Sequence, residues 1–310
     1  MKEVGVKCKL MGSAFELMVA DEREEFAKRM LDEGINEIRR IEELLSEFIP
    51  TSITSVINQY NGIQPLPVDP ECFALIERCI GISRLTDGCF DITVSPLKKL
   101  YSFRNEAYTM PARKQINEAL DKVGYRKIRL HKESCSISFA QSGMQISFSA
   151  IGKGYASDRV KQLWVKNGVK SGYINASGDL NAFGSRPDGS PWKIGIANPS
   201  DRKQVLMHIP LHNASAATSG DYEQHFIYRN TRYSHNLNPL TGLPSNGIQS
   251  VTVFSPGAEL SDALATAVYV KGIEPGTEFI NQLPHTHCVI IDEKQQVHFS
   301  KNLVYETIPC

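Results

Sequence analysis

The stretch Ser149-Ala-Ile-Gly-Lys-Gly154 lies between a short apolar run at residues 146–148 and a pattern of helical spacing over residues 155–165. A strand, a glycine-rich turn that carries a lysine, and a helix together form an arrangement that binds phosphate groups. Free backbone N–H groups and the positive end of the helix dipole meet at such a turn, and the lysine adds a full charge. The stretch therefore predicts a strand–turn–helix unit with a candidate phosphate site at the turn.

This turn matches neither of the two common nucleotide-binding templates. Gly152 and Lys153 fit the end of G-x-x-x-x-G-K-[ST], but Ser147 replaces the first glycine and Gly154 replaces the Mg²⁺-binding hydroxyl residue. The pattern G-x-G-x-x-G fails as well, because its third glycine falls on Ser157. On these residues alone, a phosphate site and a glycine-rich helix start with a solvent-exposed lysine both remain open.

A second candidate feature is the segment Ser261-Asp-Ala-Leu-Ala-Thr-Ala267. Asp262 and Thr266 are four residues apart in a helical pattern, so they share one face of the helix. A carboxylate and a hydroxyl one turn apart are hard oxygen ligands of the kind that Mg²⁺ or Ca²⁺ prefers. The same pattern also fits an ordinary helix, with an acidic residue near its N-terminus and a packed threonine.

A third candidate is His235, which precedes the turn signal at residues 239–242. An imidazole at this position is suited to act as a general base near neutral pH. A structural hydrogen-bonding role is the alternative, and the sequence alone leaves both open.

Composition and charge exclude several classes of protein. Lys plus Arg and Asp plus Glu both number 34, so no global field favours nucleic acid or an anionic membrane. No apolar run is long enough to span a bilayer, and the N-terminus lacks the apolar core of a secretory signal. We therefore expect no nucleic-acid partner, no membrane span and a cytoplasmic location, unless a leader has been removed. The seven cysteines are scattered and odd in number, which favours reduced core thiols.

The order of helical and strand patterns predicts an α+β fold with a mostly antiparallel sheet. Helices are predicted over residues 22–48, 69–85, 111–123, 155–165, 258–270 and 275–282. Strands are predicted over residues 4–10, 14–19, 127–130, 136–139, 172–175, 180–183, 192–196, 205–209, 226–229, 251–254, 288–292 and 297–299. We expect one compact domain over residues 1–310, with a helix-rich part over about 20–125 and a β-rich part over about 126–310.

Taken together, these segments resemble the ApbE family of FAD:protein FMN transferases. Residues 147–158 resemble DLGGIAKGYAVD, residues 173–179 resemble LVNAGGD, and residues 262–267 match DALATA. Similar blocks lie at residues 11–13, 42–58, 86–101, 191–196, 217–222 and 233–244. The resemblance implies an ApbE-like fold and an enzyme that binds FAD with a divalent cation, usually Mg²⁺. It also implies transfer of FMN to a Thr or Ser hydroxyl of an acceptor flavoprotein, with formation of a phosphoester and release of AMP.

The resemblance assigns roles to individual residues. The implied metal ligands are the side chains of Asp262 and Thr266 and the backbone carbonyl of Ala150. The implied flavin-nucleotide contacts are Met11, Leu100, Tyr101, Ser147, Lys153, Asp179, Asn236 and Leu237. Lys153 adds charge at the phosphates. His235 matches the histidine suggested as base for the incoming hydroxyl, and Asp221 or Asp179 is an alternative proton acceptor.

Several positions depart from the family pattern. The aspartate that opens DLGG is Ser147 here, its glycines are Ser149 and Ala150, and the tryptophan of the LW pair is Tyr101. In relatives the aspartate contacts FAD, so a different affinity or orientation is expected. Two alternative functions remain: an FAD pyrophosphatase that forms FMN and AMP, and a non-catalytic FAD-binding protein. The presence of Asp262, Thr266 and Lys153 argues against the latter.

Overall fold

The fold is built around an antiparallel sheet that combines strands from both ends of the chain. The computed structural model describes residues 1–60, 62–103, 110–198, 201, 204–221 and 224–307. Its helices are α1 (Glu24–Leu45), α2 (Ile53–Gln59), α3 (Pro70–Leu85), α4 (Ser95–Lys98), α5 (Arg113–Leu120), α6 (Gly152–Lys166), α7 (Ala258–Lys271) and α8 (Ile273–Ile280). Its strands are β1 (Lys2–Leu10), β2 (Ser13–Asp21), β3 (Leu66–Pro67), β4 (Ile128–His131), β5 (Ser136–Phe139), β6 (Gly172–Ala176), β7 (Asp179–Phe183), β8 (Trp192–Ala197), β9 (Val205–Leu211), β10 (Ser215–Gly220), β11 (His225–Tyr228), β12 (Thr231–Ser234), β13 (Ile248–Ser255), β14 (His287–Asp292), β15 (Val297–Phe299) and β16 (Glu306–Thr307).

The main sheet has the strand order β1-β2-β6-β7-β10-β13-β14-β15, and its neighbouring strands pair antiparallel. The N-terminal hairpin β1–β2 joins this sheet through β2 and β6, which lie far apart in the sequence. Two smaller three-stranded sheets, β16-β9-β8 and β3-β5-β4, and the hairpin β11–β12 complete the described strands. The α+β class with mostly antiparallel sheet is confirmed.

The two faces of the main sheet contribute to different hydrophobic clusters. Along β13, Val251 and Val253 belong to a buried cluster with Leu264 of α7. The neighbouring side chain, Phe254, belongs to a cluster with Trp192 of the small sheet. Successive side chains of a strand point to opposite faces, so this alternation places helices on one face and the small sheet on the other.

The long helices follow the apolar periodicity of the sequence. The helix predicted over residues 22–48 is α1, whose buried side chains include Met30, Ile38 and Ile41. The helix predicted over residues 69–85 is α3, and Asp69 caps it by accepting a hydrogen bond from the Glu71 amide at 2.8 Å.

The strand predicted before the glycine-lysine turn is wrong. Residues 146–148 belong to no strand and to no sheet. The side-chain amide of Asn58 takes the place of a neighbouring strand: it donates to the Ile146 carbonyl at 2.9 Å and accepts from the Ile146 amide at 2.7 Å. The Ser147 amide donates to the Ile92 carbonyl at 2.7 Å. This segment is therefore held by side-chain and loop contacts, which no periodic pattern signals.

Gly154 permits the close contact between the first turns of α6 and α7. A Cβ atom at this position would lie 2.2 Å from the Ala258 carbonyl oxygen and 2.9 Å from the Asp262 Cβ. At Gly152, two residues earlier, a Cβ would make an ordinary contact of 3.6 Å with Met11 Cε. The two glycines of the turn therefore differ: the fold requires a glycine at position 154 and accommodates alanine at position 152.

We expect Gly154→Ala to lower the free energy of unfolding by at least about 2 kcal/mol, because the added methyl group forces α6 away from the backbone of α7. Gly152→Ala is the matched control. It should change stability by less than about 1 kcal/mol, in the stabilising direction, because alanine is the better helix former. Urea unfolding followed by circular dichroism measures both values, and equal effects of the two substitutions would contradict the tight contact.

Candidate active site

A cleft of about 500 Å³ opens beside the first turns of α6 and α7 and the end of β10. Its lining contains the following residues singled out in the sequence: Ala150, Asp262 and Thr266, Lys153 and Ser147, and His235, Asn236 and Leu237. An adjoining recess of about 420 Å³ shares Ser147 and Lys153 with the cleft and contains Met11. Cavities of this size accommodate small molecules and cofactors.

The Asp262 carboxylate connects α7 to the start of α6. Its Oδ2 accepts a hydrogen bond from the Gly154 amide at 3.1 Å. In a helix continued back to residue 150, this amide would donate to the Ala150 carbonyl instead. Asp262 is buried, and burial together with the negative charge of Asp179 raises its pKa, an effect that Lys153 opposes. Burial and Asp179 thus disfavour the charged form of Asp262, and a cation bound beside this carboxylate would stabilise that form.

Lys153 and Asp179 form an ion pair at the edge of the cleft. Lys153 Nζ lies 2.5 Å from Asp179 Oδ2, and Asp179 Oδ1 accepts a hydrogen bond from the Thr218 amide at 2.9 Å. Asp179 is buried and is not part of the cleft lining. Its carboxylate contacts Lys153, and Lys153 lines the cleft. The pair holds the lysine side chain in one orientation.

The oxygen donors of the cleft fit a hard divalent cation. Asp262 supplies a carboxylate and Thr266 a hydroxyl from one face of α7, and Ala150 lies in the same cleft wall. The Thr266 hydroxyl is 3.2 Å from Ser219 Oγ on β10. In the part of the chain that the structure describes, no cluster of three or more His, Cys, Asp or Glu residues is arranged to hold a metal. A cation here would therefore be held by one carboxylate, a hydroxyl and a carbonyl, with further oxygens from its ligand.

His235 is half-buried in the cleft wall and is oriented by the backbone. Its Nδ1 lies 3.2 Å from the Gln224 carbonyl oxygen, which can only accept, so Nδ1 carries the proton in this contact. The neutral imidazole then has its lone pair on Nε2. The His235 ring also meets the ring of Phe103 edge-on, with centroids 6.4 Å apart. This arrangement provides a proton acceptor in the cleft.

The predicted contacts Leu100 and Tyr101 lie behind the cleft wall. Tyr101 is buried, and its hydroxyl donates to the Gly242 carbonyl at 2.7 Å. Its ring stacks at 6.2 Å on Phe103, which itself lines the cleft, and Leu100 packs against the same apolar cluster. Phe103 therefore occupies the wall position that the sequence assigned to residues 100 and 101. Tyr101 supports it from behind.

Asp221 also lies outside the cleft lining. Its carboxylate is buried against Arg232, whose Nη2 donates to Oδ1 at 3.1 Å and whose Nε lies 2.7 Å from Oδ2. Burial raises the pKa of Asp221, whereas the positive charge of Arg232 lowers it. The geometry gives Asp221 a structural ion pair next to β10, and its predicted part in proton transfer remains a prediction.

The cleft-wall residues that sequence reasoning missed include Glu47, Lys98, Phe103 and Ser219. The available signal for Lys98 was a pair of lysines, Lys98-Lys99, within an otherwise apolar segment. Glu47 directly follows the Leu45-Ser46 pair of a recognised block. Neither signal distinguishes a cleft residue from a solvated one, because α4 is a single short turn whose orientation depends on tertiary packing.

Comparison with known proteins identifies the family of this chain. The model of the ApbE family matches residues 11–290. The chain belongs to the ApbE family. A FAD:protein FMN transferase of Klebsiella pneumoniae is 28% identical, over 97% of this chain and 96% of its own length. One of Treponema pallidum is 27% identical, over 88% of this chain and 80% of its own length.

Solved structures of the ApbE family share the fold. The ApbE protein of Thermotoga maritima superimposes with a TM-score of 0.89 at 29% identity, and the match covers 97% of each chain. The flavinyl transferase ApbE of Pseudomonas stutzeri gives a TM-score of 0.83 at 26% identity, over 96% of this chain and 94% of that one. The expected ApbE-like fold is therefore confirmed.

Two further expectations from the sequence concern membranes and thiols. None of the helices in the described part of the protein has both the length and the apolar character that crossing a bilayer requires. Cys8, Cys72, Cys79, Cys89, Cys135 and Cys288 are free thiols, and Cys310 lies outside the described residues.

We expect Asp221→Asn to lower the free energy of unfolding by about 1–3 kcal/mol, because it leaves the Arg232 guanidinium without its charged partner. FAD binding by the folded protein should change less than about twofold, since Asp221 is not part of the cleft lining. Urea unfolding and FAD titration measure the two effects, with the exposed Asp188→Asn as control. Unchanged stability with lost FMN transfer would support the proton-transfer role instead.

Proposed function

We propose that this protein is a Mg²⁺-dependent FAD:protein FMN transferase. In the proposed reaction, the hydroxyl of a Thr or Ser residue in an acceptor flavoprotein attacks the FMN phosphorus of FAD. A phosphoester to FMN forms, the bond between the two phosphates breaks, and AMP leaves. The observation that carries the proposal is one cleft lined by Asp262, Thr266, Lys153 and His235 in a chain of the ApbE family.

The side chains of Asp262 and Thr266 and the carbonyl of Ala150 would hold the metal ion. When bound, a divalent cation neutralises charge on the phosphate oxygens and on the leaving phosphate. The fit of the donor set supports this assignment, because the buried Asp262 carboxylate lies near a second acid, Asp179, and the two share Lys153. The metal itself and the named ligands are part of the proposal.

Lys153 contributes a fixed positive charge near the start of α6. Its ion pair with Asp179 at 2.5 Å holds the ammonium group in place before substrate binds. A preoriented cation stabilises developing negative charge without reorganisation during the reaction. We assign Lys153 to the phosphates, and we assign Met11, Ser147, Asn236 and Leu237 to the walls that hold the rest of the dinucleotide.

His235 is the proposed base for the acceptor hydroxyl. Because the Gln224 carbonyl fixes the proton on Nδ1, Nε2 is the nitrogen that accepts the hydroxyl proton as the new phosphorus–oxygen bond forms. The proton then resides on the imidazole, while the electron pair of the broken bond leaves with AMP.

The acceptor must present its hydroxyl at an open cleft. A flavoprotein with a site that resembles Asp-x-x-[Ser/Thr]-Gly-Ala-[Ser/Thr] is the proposed partner, and it must share the compartment of this protein. When water replaces the acceptor hydroxyl, the same groups would hydrolyse FAD to FMN and AMP. The two reactions are therefore separated only by measuring both products.

We expect Asp262→Asn to reduce FMN transfer roughly 100-fold or more, because the cation would lose its charged ligand. The measurement is the intact mass of a purified acceptor after incubation with FAD and Mg²⁺, with AMP followed by chromatography. Asp188→Asn, which changes an exposed carboxylate, is the matched control, and chelation of the metal in the wild-type protein should give a similar loss.

Three outcomes would contradict the proposal. Release of AMP without any mass gain on the acceptor would identify a pyrophosphatase. Binding of FAD without release of AMP would identify a non-catalytic binding protein. Full transfer by Asp262→Asn would contradict the metal-centred mechanism but not the transferase activity itself.

We expect His235→Gln to slow FMN transfer about 100-fold to 10,000-fold while FAD affinity stays nearly constant, because the proposed base acts on the acceptor hydroxyl. Single-turnover transfer and FAD titration separate the two quantities. His212→Gln, in an exposed position, provides the control for loss of an imidazole. Unchanged single-turnover transfer by His235→Gln would assign the proton to another group.

A further inference from the structure

Lys98 is a second cation in the cleft wall that the reaction described above does not use. It is the last residue of α4, and its half-buried side chain lines the same cleft as Lys153. Its Nζ donates a hydrogen bond to Ser149 Oγ, in the turn that precedes α6. An ammonium group has three N–H donors, so two remain after this bond.

A chain of hydroxyl groups connects Lys98 to Glu47. Ser149 Oγ lies 3.1 Å from Ser147 Oγ, which in turn lies 3.2 Å from Glu47 Oε1. Ser149 Oγ accepts from Lys98, and the Ser147 hydroxyl can donate its one proton either to Ser149 Oγ or to Glu47 Oε1. The two acceptors nearest the Lys98 ammonium are therefore neutral hydroxyls, those of Ser149 and Ser147, and the Glu47 carboxylate lies beyond them.

The two lysines of the cleft therefore differ in charge compensation. Lys153 lies 2.5 Å from the Asp179 carboxylate, so much of its charge is already balanced. Among the described residues, no carboxylate forms a direct ion pair with Lys98, whose hydrogen-bond partner is Ser149. Loss of hydration lowers the pKa of Lys98, and only the more distant Glu47 acts in the opposite direction. A desolvated ammonium group with this little compensation gains most from an anionic ligand.

The two hydroxyl residues that connect Lys98 to Glu47 are departures from the family pattern. Ser147 stands where the pattern has aspartate and Ser149 where it has glycine, and Lys98 falls between the matched residues 97 and 100. Replacement of a carboxylate by a hydroxyl at position 147 makes this part of the cleft more positive. The Ser149 side chain, absent from a glycine, is what holds Lys98 at the cleft.

We propose that Lys98, oriented by Ser149, forms a second anion-binding position in the cleft and binds a phosphate oxygen of the dinucleotide substrate. This inference rests on the proposed function for the identity of the dinucleotide. The site takes the pyrophosphate of FAD, and it shares that chemistry with simpler nucleoside diphosphates. Lys153 with Asp179 acts as an oriented, largely balanced pair, whereas Lys98 supplies the uncompensated positive charge.

The test compares FAD, ADP and riboflavin as probes for the wild-type protein, Lys98→Met and Lys98→Arg, by calorimetric titration at fixed Mg²⁺. Lys99→Met is the matched control, because Lys99 is the exposed neighbour in the sequence. We expect Lys98→Met to weaken binding of FAD and ADP about 10-fold to 100-fold, as loss of a charge-assisted hydrogen bond predicts. Riboflavin, which has the flavin ring without a phosphate, should bind all variants alike, and Lys98→Arg should retain most of the affinity for FAD.

An equal loss of affinity for riboflavin and FAD would overturn the inference and place Lys98 against the flavin ring. Unchanged affinity for all probes would also overturn it and leave Lys98 a structural role in holding the turn. Thermal unfolding of each variant verifies that the titrated protein is folded. The result is independent of catalysis: a wild-type protein that binds FAD but transfers no FMN would contradict the proposed function and leave this test intact.

Discussion

The contact between Gly154 and the first turn of α7 is the constraint on which the site depends. Without a side chain at residue 154, the backbones of α6 and α7 approach so closely that the Gly154 amide reaches the Asp262 carboxylate. The same approach places Lys153 beside Asp179, which is fixed in turn by the Thr218 amide of β10. The contact at Gly154 thus brings the start of α6, with Lys153, against α7, which carries Asp262 and Thr266.

The charges assembled by this contact do not balance within the protein. Among the residues that the structure describes, Lys153 is the one cation that acts on both Asp262 and Asp179. Burial raises the pKa of Asp262, and no second cation of these residues lowers it. An arrangement of this kind reduces the stability of the unliganded fold, since desolvated charge is costly. It is retained where a ligand or a metal supplies the missing charge, and perturbed acids in a cleft are for that reason indicators of function. The hydrophobic clusters on both faces of the main sheet provide the stability that tolerates it.

Much of the fold could be predicted from the sequence because apolar periodicity directly reports burial. Helix α1 and strands such as β14 have strong patterns, and they were located to within a few residues. Strand β10 was missed because its sequence, Ser-Ala-Ala-Thr-Ser-Gly, lacks the large β-branched and aromatic residues typical of strands. The strand expected at residues 146–148 was wrong because Asn58, distant in sequence, occupies the hydrogen-bonding edge. One cleft brings together most of the residues that the motifs single out, whereas Tyr101 and Asp221 lie outside its lining because tertiary packing directs their side chains elsewhere.

Departures from a family pattern are best interpreted through contacts in space. Taken singly, Ser147 is a lost carboxylate and Ser149 a lost glycine, and each suggests a weakened site. In the structure the two hydroxyls contact each other and connect Glu47 with Lys98, so the altered positions form one polar chain along the cleft wall. The altered positions therefore have to be considered together. Residue 147 has no carboxylate here, but its hydroxyl contacts the Glu47 carboxylate on one side and, through Ser149, the Lys98 ammonium on the other. A site of this composition presents the Lys98 ammonium and the Glu47 carboxylate to a ligand on either side of two neutral hydroxyls.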